Sequence, residues 1–251
     1  MNINDDEFYD SGLFIEKMTI DWKKIDRHSY LRSITPIRKL SEFVFRSRIT
    51  IFTGENGSGK STLLEAMAIR CGFNPEGGTF NYDFSTYDSH SELYEAMRAT
   101  RSYRRPEWGM FLRAESFYNV ATMEEEYARR DPFTISHEYH KKSHGESFLQ
   151  TLSDNFQPDG LFFLDEPEAA LSPQNQMALL VMLHDCSKSG SQIIMATHSP
   201  ILMSVPGADI YSFDPDGIHP CRYTETQSYI ITKKFVNDHE NMLKKLLSDD
   251  E

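Results

Sequence analysis

The stretch GENGSGKST, Gly54 to Thr62, constrains this chain more than any other. It completes the pattern G-x-x-x-x-G-K-[ST], with the β-rich RITIF before it and the helix-forming LLEAMAIRCG after it. A strand that turns through glycines into a helix N-terminus makes an anion site. The glycines let the backbone wrap around phosphates and aim N–H groups inward, and the helix end adds favourable partial charge. In such a loop Lys60 reaches the terminal phosphates and Ser61 ligates Mg²⁺, while Gly54, Glu55, Asn56, Gly57, Ser58, Gly59 and Thr62 complete the cradle. A nucleoside triphosphate with Mg²⁺ is therefore the expected ligand.

Downstream of Glu146 the text alternates between helix and strand. ESFLQTLSDNF reads as a helix, GLFFLDEP as a continuous apolar strand, and QIIMATHSP as a further strand. Between the two strands, SPQNQMALLVMLHDCSKSG reads as a helix with Ser172 as N-cap and Pro173 at its first position. Alternation of this kind predicts an α/β fold with a mostly parallel sheet flanked by helices. GMFLR reads as one more strand and TMEEEYARR as a solvated helix. QSYIITKKFVNDHENMLKKLLSDDE reads as two short helices broken near Asn237 and Asp238, with an acidic tail.

The bounds agree with one globular unit. At 251 residues, with 25% charged and 39% hydrophobic residues, the chain suits a single domain over residues 1–251. No apolar run reaches the ~18 residues of a membrane span, and the acidic opening MNINDDEFYD is unlike a secretory signal, so a cytoplasmic protein is expected. Cys71, Cys186 and Cys221 are isolated thiols that indicate neither a disulfide framework nor a cysteine zinc site. A formal charge of −12 argues against whole-molecule attraction to nucleic acid, which stays open as a partner but unsupported.

In LFFLDEPEAALSP, four apolar residues deliver Asp165 and Glu166 to the C-terminal end of a buried strand, where ligands bind in such sheets. Asp165 can hold the metal through water while Glu166 polarises an attacking water. Together, GENGSGKST, LFFLDEPEAALS and IMATHSP resemble the ATP-binding cassette ATPases, most of all their soluble, non-transporter branch. The resemblance spans about Arg48 to Pro200. It implies ATP as the nucleotide, a P-loop fold with an N-terminal antiparallel β portion, and a helical subdomain inserted near 85–155. It further implies that Glu166 is the general base, that EAAL touches an opposite subunit, and that His198 contacts the γ-phosphate and water.

The histidines of HEYHKKSHGES, His137, His140 and His144, have two readings. As a metal site they have the wrong spacing, because HEYH is H-x-x-H and not the zinc-binding H-E-x-x-H. As part of the family signature, Ser143, Gly145 and Glu146 match a Ser- and Gly-containing motif at a helix N-terminus, with His144 in place of a glycine. A hydroxyl and free N–H groups there can grip a phosphate held by a partner subunit. Two family features are missing. Between Ser61 and Lys142 there is no glutamine to couple metal to the helical subdomain; Glu115 or Asn119 is a candidate to substitute, and each also reads as a structural residue. The adenine-stacking aromatic has only Tyr30 and Phe45 as candidates.

The span from Lys60 to Ser143 cannot hold a long antiparallel coiled coil, since two arms of ten heptads need about 140 residues. The residues after Pro200 fall short of an ordinary domain, so any effector is expected to be a separate chain. The favoured expectation is an ATPase that hydrolyses ATP–Mg²⁺ as a head-to-tail homodimer and switches a protein partner, in a process such as DNA repair or phage defence. An ATP-binding subunit of a transporter and a non-hydrolysing ATP sensor are the alternatives.

Overall fold

A computed structural model of the chain describes residues 12–79, 91–113 and 144–248. In chain order the strands are β1 (Ile15–Ile20), β2 (Glu42–Val44), β3 (Ile49–Gly54), β4 (Gly78–Thr79), β5 (Met97–Arg101), β6 (Trp108–Arg113), β7 (Gly160–Asp165), β8 (Gln192–Ala196), β9 (Ala208–Asp214) and β10 (Gly217–Cys221). The helices are α1 (Thr35–Arg38), α2 (Lys60–Cys71), α3 (Leu93–Ala96), α4 (His144–Asn155), α5 (Pro173–Lys188), α6 (Gln227–Asn237) and α7 (His239–Leu247).

The central sheet has the order β10-β9-β3-β8-β7-β6-β4. Its five inner strands run parallel, and the hairpin partner β10 and the short β4 pair antiparallel at the two edges. A second sheet, β2-β1-β5, is antiparallel throughout and forms the expected N-terminal β portion.

β3, β7 and β8 are apolar because both of their faces are covered. Alternation sorts their side chains into two cores. Phe52, Leu161, Phe163 and Ile194 join α2 and the antiparallel sheet on one face. Ile51, Phe162, Leu164, Ile193 and Met195 join α4 and α5 on the other. α2 stops where Gly72 takes a left-handed φ of 103° and its N–H reaches Ala68 and Ile69 carbonyls. α5 starts as its sequence predicts, with the Ser172 hydroxyl accepting from Asn175 N–H and Pro173 in the first turn.

One buried side chain joins the sheets. Gln192, on β8, is fully buried; its Oε1 accepts from the Phe14 and Ile15 amides at 2.9 Å each, and its Nε2 donates to Ile15 O at 2.9 Å. A carboxamide carries both an acceptor and donors, so it can substitute for backbone pairing at this junction.

Of the range 85–155, residues 91–113 carry α3, β5 and β6, and 144–155 carry α4; the rest lies outside the described residues, including the TMEEEYARR helix. The β9–β10 hairpin is not singled out by the sequence. Among the described residues, no helix is long and apolar enough to cross a membrane.

Candidate functional site

The glycine loop leaves β3 at Gly54 and enters α2 at Lys60, as the motif predicts. Two glycines are required here by space as well as by backbone. At Gly54, φ is 144° and an added Cβ would lie 2.4 Å from Phe213 O. At Gly59, φ is 95° and a Cβ would lie 2.6 Å from both Ile34 Cγ2 and Ile37 Cδ1. The loop is thus clamped between β9 and the α1 region, and any L side chain would force them apart.

Lys60 is buried and its Nζ donates to Gly54 O at 3.0 Å and Glu55 O at 2.9 Å. Burial pushes its pKa below the ordinary lysine value, and the nearby carboxylates of Glu166, Asp165 and Glu168 oppose that shift. Ser61 Oγ donates to Asp165 Oδ1 at 2.8 Å, so the hydroxyl and the strand-end acid predicted to share a metal already touch.

Asp165 ends β7 and is buried. Beside it, in register on β6, Arg113 places Nε 3.6 Å from Asp165 Oδ2 and donates from Nη1 to Glu65 Oε2 at 2.6 Å. Neither Arg113 nor Glu65 is singled out by the motifs. The available signal is a basic residue ending the apolar run GMFLR next to an acid-ended strand.

Glu166 is one of two non-glycine residues with positive φ among the described residues, at φ 48° and ψ 51°. Such a conformation costs about 1–2 kcal/mol and is found where the surroundings enforce it. Here the Glu166 amide donates to Ala196 O at 2.9 Å, and Pro167 follows. The turn carries the carboxylate to within 3.7 Å of His198 Nε2.

His198 follows β8, and its loop is held from two sides. Thr197 N–H donates to Phe52 O at 3.0 Å, on β3. Glu168 receives the Thr197 hydroxyl on Oε2 at 2.7 Å and the His198 amide on Oε1. Burial is the main cause that pushes the His198 pKa below the ordinary histidine value; the Lys60 charge adds to it, while Glu166 and Glu168 work against it. The imidazole is therefore neutral at neutral pH.

Of these residues His198 lines a cavity of about 1130 Å³, together with the glycine loop from Gly54 to Ser58, Ile34, Pro36 and, from α6, Ile231 and Thr232. Ser58 Oγ and His198 Nε2 are buried without a hydrogen-bond partner among the described residues, and both residues line this space. Unmet donors and acceptors beside a lysine and a helix N-terminus fit a polyanionic ligand such as a nucleoside triphosphate.

Other expected residues fare differently. Thr62 lies half-buried in the first turn of α2. His144, Gly145 and Glu146 open α4, whereas Ser143 lies outside the described residues, as do His137, His140, Glu115 and Asn119. Neither aromatic candidate for the base lines the cavity. Tyr30 is exposed on a single 3-10 turn, and Phe45 is buried edge-on against Phe43 at 5.0 Å.

Residues 121–204 match a family model described as "AAA domain, putative AbiEii toxin, Type IV TA system". A "Putative ABC transporter ATP-binding protein" of Methanosarcina acetivorans is 30% identical over 213 residues, covering 71% of this chain and 72% of that protein. The "Energy-coupling factor transporter ATP-binding protein EcfA" of Methanosphaera stadtmanae is 26% identical over 181 residues, 62% of each chain. The SMC head domain from Thermotoga maritima aligns with a TM-score of 0.47 at 16% identity, across 83% of this chain and 98% of that one.

Proposed function

Because the chain belongs to the ATP-binding cassette family of P-loop ATPases, we propose that it hydrolyses ATP as a head-to-tail homodimer whose closing and opening switch a separate protein effector. The observation that carries this reading is the convergence of Lys60, Ser61, Asp165, Glu166 and His198 at or just past the ends of β3, β7 and β8, where Ser61 meets Asp165, Glu166 comes within 3.7 Å of His198, and His198 and the glycine loop line one cavity. Phosphoryl transfer needs these parts together: a phosphate cradle, a metal-holding hydroxyl and acid, a water-directing carboxylate and a polar group near the transferred phosphate.

Each residue has a task in this scheme. Lys60 exchanges its bonds to Gly54 O and Glu55 O for phosphate oxygens and offsets their charge. Ser61 and Asp165 would hold Mg²⁺, which when bound would supply charge neutralisation at the phosphates. Glu166 draws a proton from the attacking water, and its left-handed backbone keeps the carboxylate beside His198. His198, neutral and with Nε2 lacking a hydrogen-bond partner among the described residues, contacts the γ-phosphate and the water. Ser143, His144, Gly145 and Glu146 of a second copy close the site, so loss of the γ-phosphate loosens the dimer. ATP favours the closed state only through contacts made there, as any such switch requires.

The test is the solution mass of Glu166→Gln by light scattering with ATP–Mg²⁺ and with ADP–Mg²⁺. A dimer in ATP alone, abolished by a bulky residue at Ser143, supports the reading. A monomer in both nucleotides, or full turnover by Glu166→Gln, overturns it. The system named in the matched model's description supports a toxin–antitoxin setting for the effector.

A second reading is favoured by the relatives' names, which describe transporter ATP-binding proteins. Under it the chain would serve a separate permease. Co-fractionation with membranes that survives high salt supports the permease; recovery in the soluble fraction supports the first reading.

A further inference from the structure

We propose that Glu168 is a positioning residue for His198, and that through it the conformation of the segment 166–171 decides whether the histidine stands ready for hydrolysis. This rests on the hydrolytic role given to His198 above.

The geometry is a closed circuit between two loops. Both carboxylate oxygens of Glu168 are used on the histidine loop, one by the Thr197 hydroxyl and one by the His198 backbone amide. The Thr197 hydroxyl also accepts from the Ser199 amide at 3.0 Å. Ser199 Oγ donates to Gln176 Oε1 at 2.6 Å, and Gln176 Nε2 donates to Leu171 O at 3.0 Å, back in the segment that holds Glu168. Residues 168 and 171 therefore grip residues 197–199 at two points.

Two further features point to positioning and not to a simple staple. Among the described residues His198 Nε2 has no hydrogen-bond partner, and the nearest carboxylate, Glu166, stands 3.7 Å away, so the backbone that Glu168 holds bears on where the imidazole sits. The opposite side of the loop is anchored to β3 through Thr197 N–H and Phe52 O. Removing Glu168 leaves that anchor in place while freeing the amide of the residue that matters. The segment 166–171 begins at the left-handed Glu166 and bears the exposed Ala169, so a contact made there by a second copy would be felt at His198.

Two donors converging on one side chain call for two acceptors, which explains a carboxylate at this position. Gln keeps one carbonyl oxygen for the His198 amide, and its NH₂ can donate to the Thr197 hydroxyl, so Glu168→Gln preserves the linkage without the charge. Ala removes both.

The experiment is a double-mutant cycle on ATP turnover with Glu168→Ala, His198→Ala and the combined variant, together with Glu168→Gln. Melting temperature and the Kd for ATP–Mg²⁺ are read on each protein. Glu168→Ala is expected to lower kcat by about ten- to a hundredfold, by analogy with side chains that orient metal-bound histidines, with the Kd changed by less than about twofold. Glu168→Gln is expected to recover most of the lost kcat. The combined variant is expected to be no slower than His198→Ala, because the second change has nothing left to position. Losses that multiply in the combined variant, or unchanged kcat in Glu168→Ala, overturn the proposal. Should Glu168→Ala not fold, a Glu168→Gln enzyme with intact binding but Ala-like loss at His198 overturns it equally. If His198→Ala alone keeps full turnover, the hydrolytic role of His198 falls; impaired His198→Ala with additive Glu168→Ala removes only the positioning role.

Discussion

The inner strands and the last two helices treat apolar residues in opposite ways. β7 and β8 bury every residue they contain, whereas α6 and α7 bury none. Ile231, Phe235, Leu246 and Leu247 are as apolar as Leu161 or Ile193, yet they stand exposed. The difference is how many neighbours constrain a position. A strand packed on both faces and paired on both edges has one arrangement available, and groups at its end, such as Asp165, are located accordingly. Helices of 11 and 9 residues with no buried face are marginal by themselves and stand on little beyond caps and local bonds. Thr226 caps α6 by accepting from Tyr229 N–H, and α7 has no side-chain cap at all. Even so, α6 lends Ile231 and Thr232 to the cavity wall, so the less constrained region borders the nucleotide side of the site.

The contrast can be broken by substitution, and the largest effect is expected in the strands. Phe162→Ala on β7 removes a fully buried ring packed 4.7 Å from Phe156 and should cost about 3–5 kcal/mol in a denaturant titration. A loss below 1 kcal/mol would mean that the inner strands are no more constrained than the helices. Gln192→Leu keeps the volume but leaves the Phe14 and Ile15 amides without the carboxamide they donate to. About 1–3 kcal/mol per stranded donor is expected, read in the same titration. Stability equal to the parent protein would show that the two sheets are joined in some other way.

A pH series sharpens the contrast at the strand ends. Protonated His198 would form an ion pair with Glu166, 3.7 Å away, and hold the carboxylate proposed to take a proton from water. Burial first, and the Lys60 charge second, put the His198 pKa below 6.5. Turnover should therefore hold as pH falls to the ordinary histidine range and drop only beneath it; a midpoint at or above 6.5 in the kcat profile contradicts this placement. The stability sign follows from linkage. Between the depressed value and 6.5 the unfolded chain binds more protons than the folded one, so stability falls as pH is lowered through that window. The smallest effect is expected at the exposed end. Leu246→Ser on α7 should change stability by less than about 0.5 kcal/mol, and a larger loss would reveal packing that its exposure hides.

Much of the site was legible because its residues are tied to local pattern. Lys60 and Ser61 follow from glycine spacing between a strand and a helix, and Asp165, Glu166 and His198 follow apolar runs that had to be strands. Arg113 and Glu65 are not singled out, and in the sequence Glu168 reads only as the first residue of EAAL, not as the residue that holds the His198 loop. Their partners lie far away in sequence, as Glu65 lies from Arg113, or their side chains resemble any solvated acid until the loop across from them is known. The aromatic candidates for the base, Tyr30 and Phe45, were chosen by residue type alone. The fold exposes one and consumes the other in an aromatic cluster, and it sets Ile34 and Pro36 at the cavity instead.

By itself, then, the order of residues determined the elements and the chemistry they carry: hydrophobic period and glycine placement are local properties, legible wherever they occur. Tertiary structure alone decided that Ser61 would meet Asp165, that Gln192 would join two sheets, and that Glu168 would hold the His198 loop. Those contacts depend on strand order and register, which arise from burying both faces of one sheet at once, and no local stretch of the chain encodes that condition.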